Sequence, residues 1–242
     1  LEAQVTEPIR NEVEMGFDEA HGGLAAVAER LAEIPAYAIL FRRVFGDESI
    51  TEARMQRALA QFVRAIVSTD SRFDRAYAAV YDRNAPDRDL GRNFASFTTQ
   101  ENRGKQLFVN PPPAGGAGCA GCHVPPTFAL AANSLSNGLD AGETRVFKSP
   151  SLKGVAKDGA FMHDGRFTRL EQVVRHYSTG VQAGPALDPR LRLPGSTTPA
   201  RPNFSDADVA ALVAFLRTLD DDTLAAGGRF SSPFPADQAE PF

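Results

Sequence analysis

Cys119-Ala120-Gly121-Cys122-His123 holds the chain's only two cysteines and one of its four histidines, and its reading decides the fold. C-x-x-C-H is the attachment sequence of a c-type haem: two thiols add across the vinyl groups, and the adjacent imidazole turns onto the iron. Two intervening residues let both sulfurs reach neighbouring edges of one porphyrin. A histidine directly after the second cysteine reaches the proximal face without slack. Zinc is the poorer reading, since no second C-x-x-C or H-x-x-x-H completes a tetrahedral shell. A thioredoxin-like dithiol wants a βαβ setting, which the flanking NPPPAGGAG at residues 110–118 does not offer.

At 242 residues, 43% hydrophobic and 23% charged, the chain is long enough for one large domain or two small ones with real cores. A net charge of −4 gives no reason to expect nucleic acid or an anionic membrane as partner. No run of about 18 apolar residues spans a bilayer, so no membrane insertion is expected. No signal peptide opens the chain, and the sequence is expected to be mature, truncated or processed at its start. With both cysteines claimed by haem, the compartment follows from the cofactor. Bacteria attach c-type haem outside the cytoplasmic membrane, which points to the periplasm.

The pattern is mainly helical. Leu24, Val27, Ala28, Leu31 and Ile34 repeat at helical spacing, and Pro35 separates this helix from a second, Ala36 to Phe45, ended by Gly46. Thr51 caps a third, in which Met55, Leu59, Phe62, Val63 and Ile66 form an apolar stripe read as core. Ser71 to Asp74 leads through a short helical turn into the charged segment Asp82 to Arg92, the candidate domain boundary. Thr98 or Thr99 caps a helix through Gly104, Leu107 and Phe108, where the glycine permits a close helix crossing. Ser205 caps the last helix, whose buried side is Val209, Leu212, Val213, Phe215 and Leu216. Three segments result: residues 1–95, a haem-bearing domain at 96–220, and a tail at 221–242 that packs back on the first.

A six-coordinate haem needs a second axial ligand opposite His123. Leu170, Val173, Val174 and Tyr177 share one helical face, so a helix beginning near Thr168 presents Tyr177 at its end. The candidates are Met162, His163, His176 and Tyr177, among which spacing does not choose. Arg145 and Lys148 precede the SPSL turn and can pair with haem propionates, or form a solvated basic face.

NEVEMGF at Asn11 to Phe17, SRFDRAY at Ser71 to Tyr77, CAGCH, FKSPSLKGV and FMHDGRFTRLEQVV together give the chain its resemblance: it is similar to the C-terminal two thirds of the bacterial di-haem cytochrome c peroxidases and their MauG-type relatives. The resemblance implies two cytochrome c-like haem domains with calcium between them, one haem reacting with hydrogen peroxide and the other relaying electrons. Here the C-terminal cytochrome c domain is joined to part of the N-terminal peroxidatic domain. The first C-x-x-C-H of the family is absent, so one covalent haem c is expected on this chain and a second on a missing N-terminal haem-bearing segment. By the same resemblance Gln4 and Glu14 flank the peroxide site with Pro8 between them. There a carboxylate can move a proton from the inner to the outer peroxide oxygen while an amide holds the peroxide. Where the peroxidases carry a methionine, the MauG-type members carry a tyrosine, matched here by Tyr177, with Met162 as the alternative. A phenolate favours ferric iron, whereas a thioether favours ferrous iron and a higher potential. Calcium would be held by the backbone carbonyls of Asp158 and Ala160.

The reading is therefore a periplasmic di-haem peroxidase or oxidase of MauG type that oxidises a protein substrate or takes electrons from a protein donor. The alternative is a mono-haem c-type electron carrier in which residues 1 to about 95 are scaffold, and a lower one is a haem-based sensor.

Overall fold

The computed structural model describes residues 1–86, 88–130, 135–157, 159–226, 228, 230–232 and 234. Among them the fold is mainly α, with one short ribbon in which β1 (His123–Val124) pairs antiparallel with β2 (Ala129–Leu130). The chain divides into two units, Leu1–Val67 with Gly227–Phe242, and Ser68–Ala226.

In the first unit, helix limits follow local chemistry. α1 (Glu7–Arg10) carries Pro8 in its first turn, where a missing N–H leaves no bond unmade. α2 (Gly23–Ala32) precedes α3 (Pro35–Phe45), which starts on its proline and stops at Gly46, whose φ of 93° suits glycine alone. α4 (Glu52–Ala65) starts where Thr51 Oγ1 accepts the Arg54 N–H at 3.4 Å. These helices meet around Ile9, Leu24, Phe41 and Met55.

The α4 stripe is not core, contrary to the sequence expectation. Met55 is buried, but Leu59, Phe62, Val63 and Ile66 are 39%, 51%, 43% and 46% exposed. Periodicity fixes that a helix has an apolar face; it does not fix which side its neighbours take. Here the inward side carries Met55 and the small Ala60.

The second unit is built around one helix crossing. α5 (Arg72–Ala78) begins with a capping box of Ser71 and Asp74, and α6 (Thr99–Val109) with another of Thr98 and Glu101. After α7 (Leu170–Arg175), α8 (Asp206–Arg217) begins where Ser205 Oγ accepts the Asp208 N–H at 3.2 Å, and α9 (Thr223–Ala226) follows. α6 meets α8 at Gly104, where a Cβ would lie 1.9 Å from the Ala211 carbonyl oxygen. Phe73, Phe94, Phe108, Phe128 and Phe215 pack around the crossing, their ring centroids 4.8–6.1 Å apart and mostly edge-on or tilted. They do the bulk-filling that tryptophan, absent from the chain, would otherwise do.

The division falls between Val67 and Ser68, whereas the sequence reading puts it after residue 95. Two anchors explain the earlier position. The Phe73 N–H donates to the Thr218 carbonyl at 3.0 Å, and Asp221 Oδ2 accepts from Ser68 Oγ, Thr69 N and Asp70 N at 3.2, 3.1 and 3.0 Å. α5 and its lead-in thus belong to the second unit. Of the expected tail, Phe230 meets Phe62 edge-on and Phe234 meets Tyr37, with centroids 5.8 and 5.3 Å apart.

Candidate functional site

Cys119–Gly121 forms a single 3-10 turn entered through Gly118 at φ 71°, and Cys122 and His123 follow directly into β1. The turn is held from the side by Arg190, whose Nη1 donates to the Gly121 carbonyl at 2.6 Å. The same guanidinium donates through Nε and Nη2 to the Asp188 carboxylate at 2.8 and 2.7 Å. Asp188, with its side chain only 3% exposed, also accepts the Leu135 N–H at 2.9 Å. Burial alone would raise the Asp188 carboxyl, but the hydrogen bonds from Arg190 and from the Leu135 and Arg190 amides hold it down at about 2. Neither Asp188 nor Arg190 stands out in the sequence. A D-P-R spacing of this kind is common in loops, and only the fold brings it against the attachment turn.

Both cysteines are free thiols. Burial pushes Cys119 up to about 12, and burial also raises Cys122, against the opposing charge of Arg190. His123 Nδ1 lies 3.1 Å from the Pro150 carbonyl and must donate to it, which leaves the Nε2 lone pair for a metal. Burial lowers the pKa of this ring, favouring the neutral form that ligation requires.

Cys119 and His123 open onto a cavity of about 470 Å³ whose lining is largely apolar and also includes Met162, His163 and Tyr177. A cavity of this size is in the range that holds a cofactor. With the Cys119 thiol, a neutral imidazole and further donors on one apolar space, and the Cys122 thiol in the same attachment turn, the donor set and the volume fit a covalently attached haem.

Of the four candidate second ligands, Met162, His163 and Tyr177 line this cavity. α7 runs straight into a π turn, His176–Gly180, which carries both His176 and Tyr177. Tyr177 lines the cavity, and burial of its phenol pushes it up to about 12 against a hydrogen bond from the Asn137 side chain. His176 is buried elsewhere, with Nε2 3.1 Å from the Asn137 carbonyl, and its pKa is lowered by burial. Met162 lines the cavity from a left-handed backbone at φ 72°, a conformation that costs a non-glycine residue about 1–2 kcal/mol. His163 also reaches the cavity, but its ring stacks on Phe147 at 4.0 Å and faces the Asp140 carboxylate at 3.8 Å.

Of the two basic residues, Lys148 lines the cavity, while Arg145 is drawn away by Glu143 at 2.8 Å and lies over the Phe147 ring. Among the described residues Asp140, Glu143 and His163 bring ligand atoms within 4.8 Å of one another. Arg166 and Arg145 already pair with the two carboxylates, each at 2.8 Å, so the group is a neutralised ion-pair cluster. Asp158 lies outside the described residues, and Ala160 is an exposed residue on the rim of the haem-sized cavity.

Gln4 and Glu14 belong to the first unit, where they share with Pro8 and Asn11 an open cleft of about 310 Å³. Gln4 sits on a 3-10 turn running into α1, and Glu14 on the turn after it, its N–H bonded to the Asn11 carbonyl at 3.1 Å. α1 is thus the hinge-piece that returns a residue ten positions on to the same cleft.

Residues 1–81 match the di-haem cytochrome c peroxidase family model, and residues 101–220 match the cytochrome c family model. The chain is 35% identical to the methylamine utilization protein MauG of Methylorubrum extorquens, over 90% of this chain and 58% of that protein. It is 27% identical to the cytochrome c551 peroxidase of Nitrosomonas europaea, over 92% of this chain and 59% of that protein. Among solved structures it superposes on a MauG-like protein associated with microbial copper homeostasis with a TM-score of 0.69 and 26% identity, covering 97% of this chain and 73% of the other. The chain therefore spans about six tenths of the length of the curated relatives it matches.

Proposed function

The chain belongs to the di-haem cytochrome c peroxidase and MauG family, and from that membership we propose that it is the larger part of a periplasmic di-haem peroxidase or oxidase of MauG type. It works with hydrogen peroxide and withdraws electrons from a protein partner. One observation supports this reading above the others: Cys119, His123 and Tyr177 line one cavity, with the His123 ring oriented by the Pro150 carbonyl. A haem c bound there supplies a centre that gains and loses single electrons. His123 would hold its iron through Nε2 and Tyr177 through the phenol oxygen, with Lys148 placed for a propionate. A hard anionic oxygen favours ferric iron, which suits an oxidising enzyme better than a high-potential carrier.

In this reading the peroxide site uses the first unit. The Gln4 amide holds peroxide by hydrogen bonds, and the Glu14 carboxylate takes a proton from the inner oxygen and returns it to the outer one. The second haem would be carried on an N-terminal segment beyond this sequence. For calcium, the resemblance alone supplies the argument, through the carbonyls of Asp158 and Ala160. Attachment of c-type haem outside the cytoplasmic membrane supports the periplasm, and no helix among the described residues is long and apolar enough to cross a membrane. The single C-x-x-C-H favours the other reading, a mono-haem electron carrier.

A pyridine haemochrome assay and an intact mass on the full-length gene product separate the two. Two haems per polypeptide are expected; one haem with no N-terminal extension establishes the carrier instead. Tyr177→Phe is expected to abolish the phenolate-to-iron charge-transfer absorption of the ferric protein. An unchanged absorption and spin-resonance spectrum removes Tyr177 from the iron.

A further inference from the structure

Two cavity-lining side chains with iron-ligating atoms, Tyr177 and Met162, share one polar neighbour, Asn137. Asn137 Nδ2 lies 3.3 Å from Met162 Sδ, and the same side chain favours the ionised form of the Tyr177 phenol. The orientation of this amide is set by what surrounds it. Asn137 Oδ1 accepts the Leu139 N–H at 3.2 Å, so a flipped amide would place donor against donor. Its carbonyl accepts from His176 Nε2 at 3.1 Å, tying the loop to the π turn that carries Tyr177. The next residue, Gly138, is held so closely that a Cβ would lie 2.8 Å from the Gln182 carbonyl oxygen and 2.8 Å from a Val181 methyl. The Gly138 carbonyl in turn accepts the Gln182 N–H at 2.8 Å. The Asn137 amide is therefore held by a closely packed loop on the cavity that both alternative ligands line.

We propose that Asn137 is a positioning residue that selects the axial ligand, fixing the Tyr177 oxygen toward the iron while engaging the Met162 sulfur. This rests on the reading that Tyr177 ligates the haem. An amide N–H makes a stronger hydrogen bond to a phenol oxygen, above all one carrying negative charge, than to a thioether sulfur. Its two contacts therefore act unequally: one orients the oxygen that ligates, the other occupies a lone pair of the sulfur that otherwise competes. Met162 is held in its left-handed backbone conformation beside this amide, at the cavity wall and not in the packed core.

The test uses the full-length, haem-loaded protein with Asn137→Asp, which keeps the acceptor for Leu139 N–H and the side-chain shape but loses both donors, and with Asn137→Leu as the uncharged counterpart. Ferric absorption, magnetic circular dichroism, spin resonance and the midpoint potential are read for each, with Tyr177→Phe and Met162→Leu alongside. The expected result is loss of the phenolate signature in both Asn137 variants, appearance of the methionine-to-iron near-infrared band and an upward shift in potential. Adding Met162→Leu to either variant should abolish that band. If the wild type carries the phenolate signature and both Asn137 variants keep it with an unmoved potential, Asn137 selects nothing, although Tyr177 remains the ligand. A wild type without the signature overturns ligation by Tyr177 and the selection together. Should Asn137→Leu fail to take up haem, Asn137→Asp alone decides by the same two readouts.

Discussion

Asp188 shows how a single side chain can fix the attachment turn without lining the cavity beside it. Its carboxylate neutralises Arg190 and receives the Leu135 N–H, and the guanidinium it holds grips the Gly121 carbonyl, between the two cysteines. Because the folded-state pKa is depressed to about 2, the associated stability is fully present above the ordinary carboxylate range. It is lost as the pH falls through about 4 toward 2. Asp188→Asn is expected to cost on the order of 2 kcal/mol at neutral pH. Chemical denaturation of both proteins at about pH 7 and about pH 3 should show the gap narrowing at the lower value, and an equal gap at both removes the ion pair as its source. Residue by residue, legibility in the sequence followed covalent constraint. Thioether attachment imposes a fixed spacing, so Cys119, Cys122 and His123 could be read directly. Asn137, Asp188 and Arg190 act through contacts between segments 25 to 69 residues apart in sequence, and no local pattern records such contacts.

At the scale of elements, starts and stops were the legible part, because capping is local chemistry. Thr51, Thr98 and Ser205 each accept an N–H three residues on, as a short polar side chain ahead of an apolar run should. Packing partners were less legible. The stripe on α4 has the period of a buried face, yet Leu59, Phe62, Val63 and Ile66 stay exposed among the described residues, since periodicity carries no information about what lies opposite. The exception is Gly104, where a missing side chain is itself the signal of a crossing. Helix propensity favours alanine over glycine by about 1 kcal/mol, so a purely local effect would make Gly104→Ala stabilising. The crossing predicts the reverse, because the added Cβ would lie 1.9 Å from the Ala211 carbonyl oxygen and Phe215 Cβ only 2.8 Å away. A net loss of about 1–3 kcal/mol in denaturant unfolding is expected; a gain in stability would mean that α6 and α8 separate freely.

On the scale of the whole molecule, the two families of features sit in different units. The attachment turn and its cavity lie within Ser68–Ala226, and the Gln4–Glu14 cleft lies within the first unit, so the chemistry assigned to each can be perturbed separately. Sequence alone could not have joined Gln4 to Glu14, which by composition are one amide and one surface acid. α1 supplies the turn that makes them neighbours, and the resemblance supplies the reason to look. If Glu14 moves the proton between peroxide oxygens, Glu14→Gln keeps the shape and a hydrogen-bonding group while removing the base, and the reaction with hydrogen peroxide should slow by about 100-fold or more. Gln4→Ala should instead weaken peroxide retention, lowering the second-order rate with a smaller effect at saturating peroxide. Stopped-flow mixing of full-length protein with peroxide reads both, while the absorption of the haem held by His123 serves as the internal control. A slow reaction with that spectrum unchanged places the carboxylate at the peroxide. Unchanged kinetics removes Glu14 from the site.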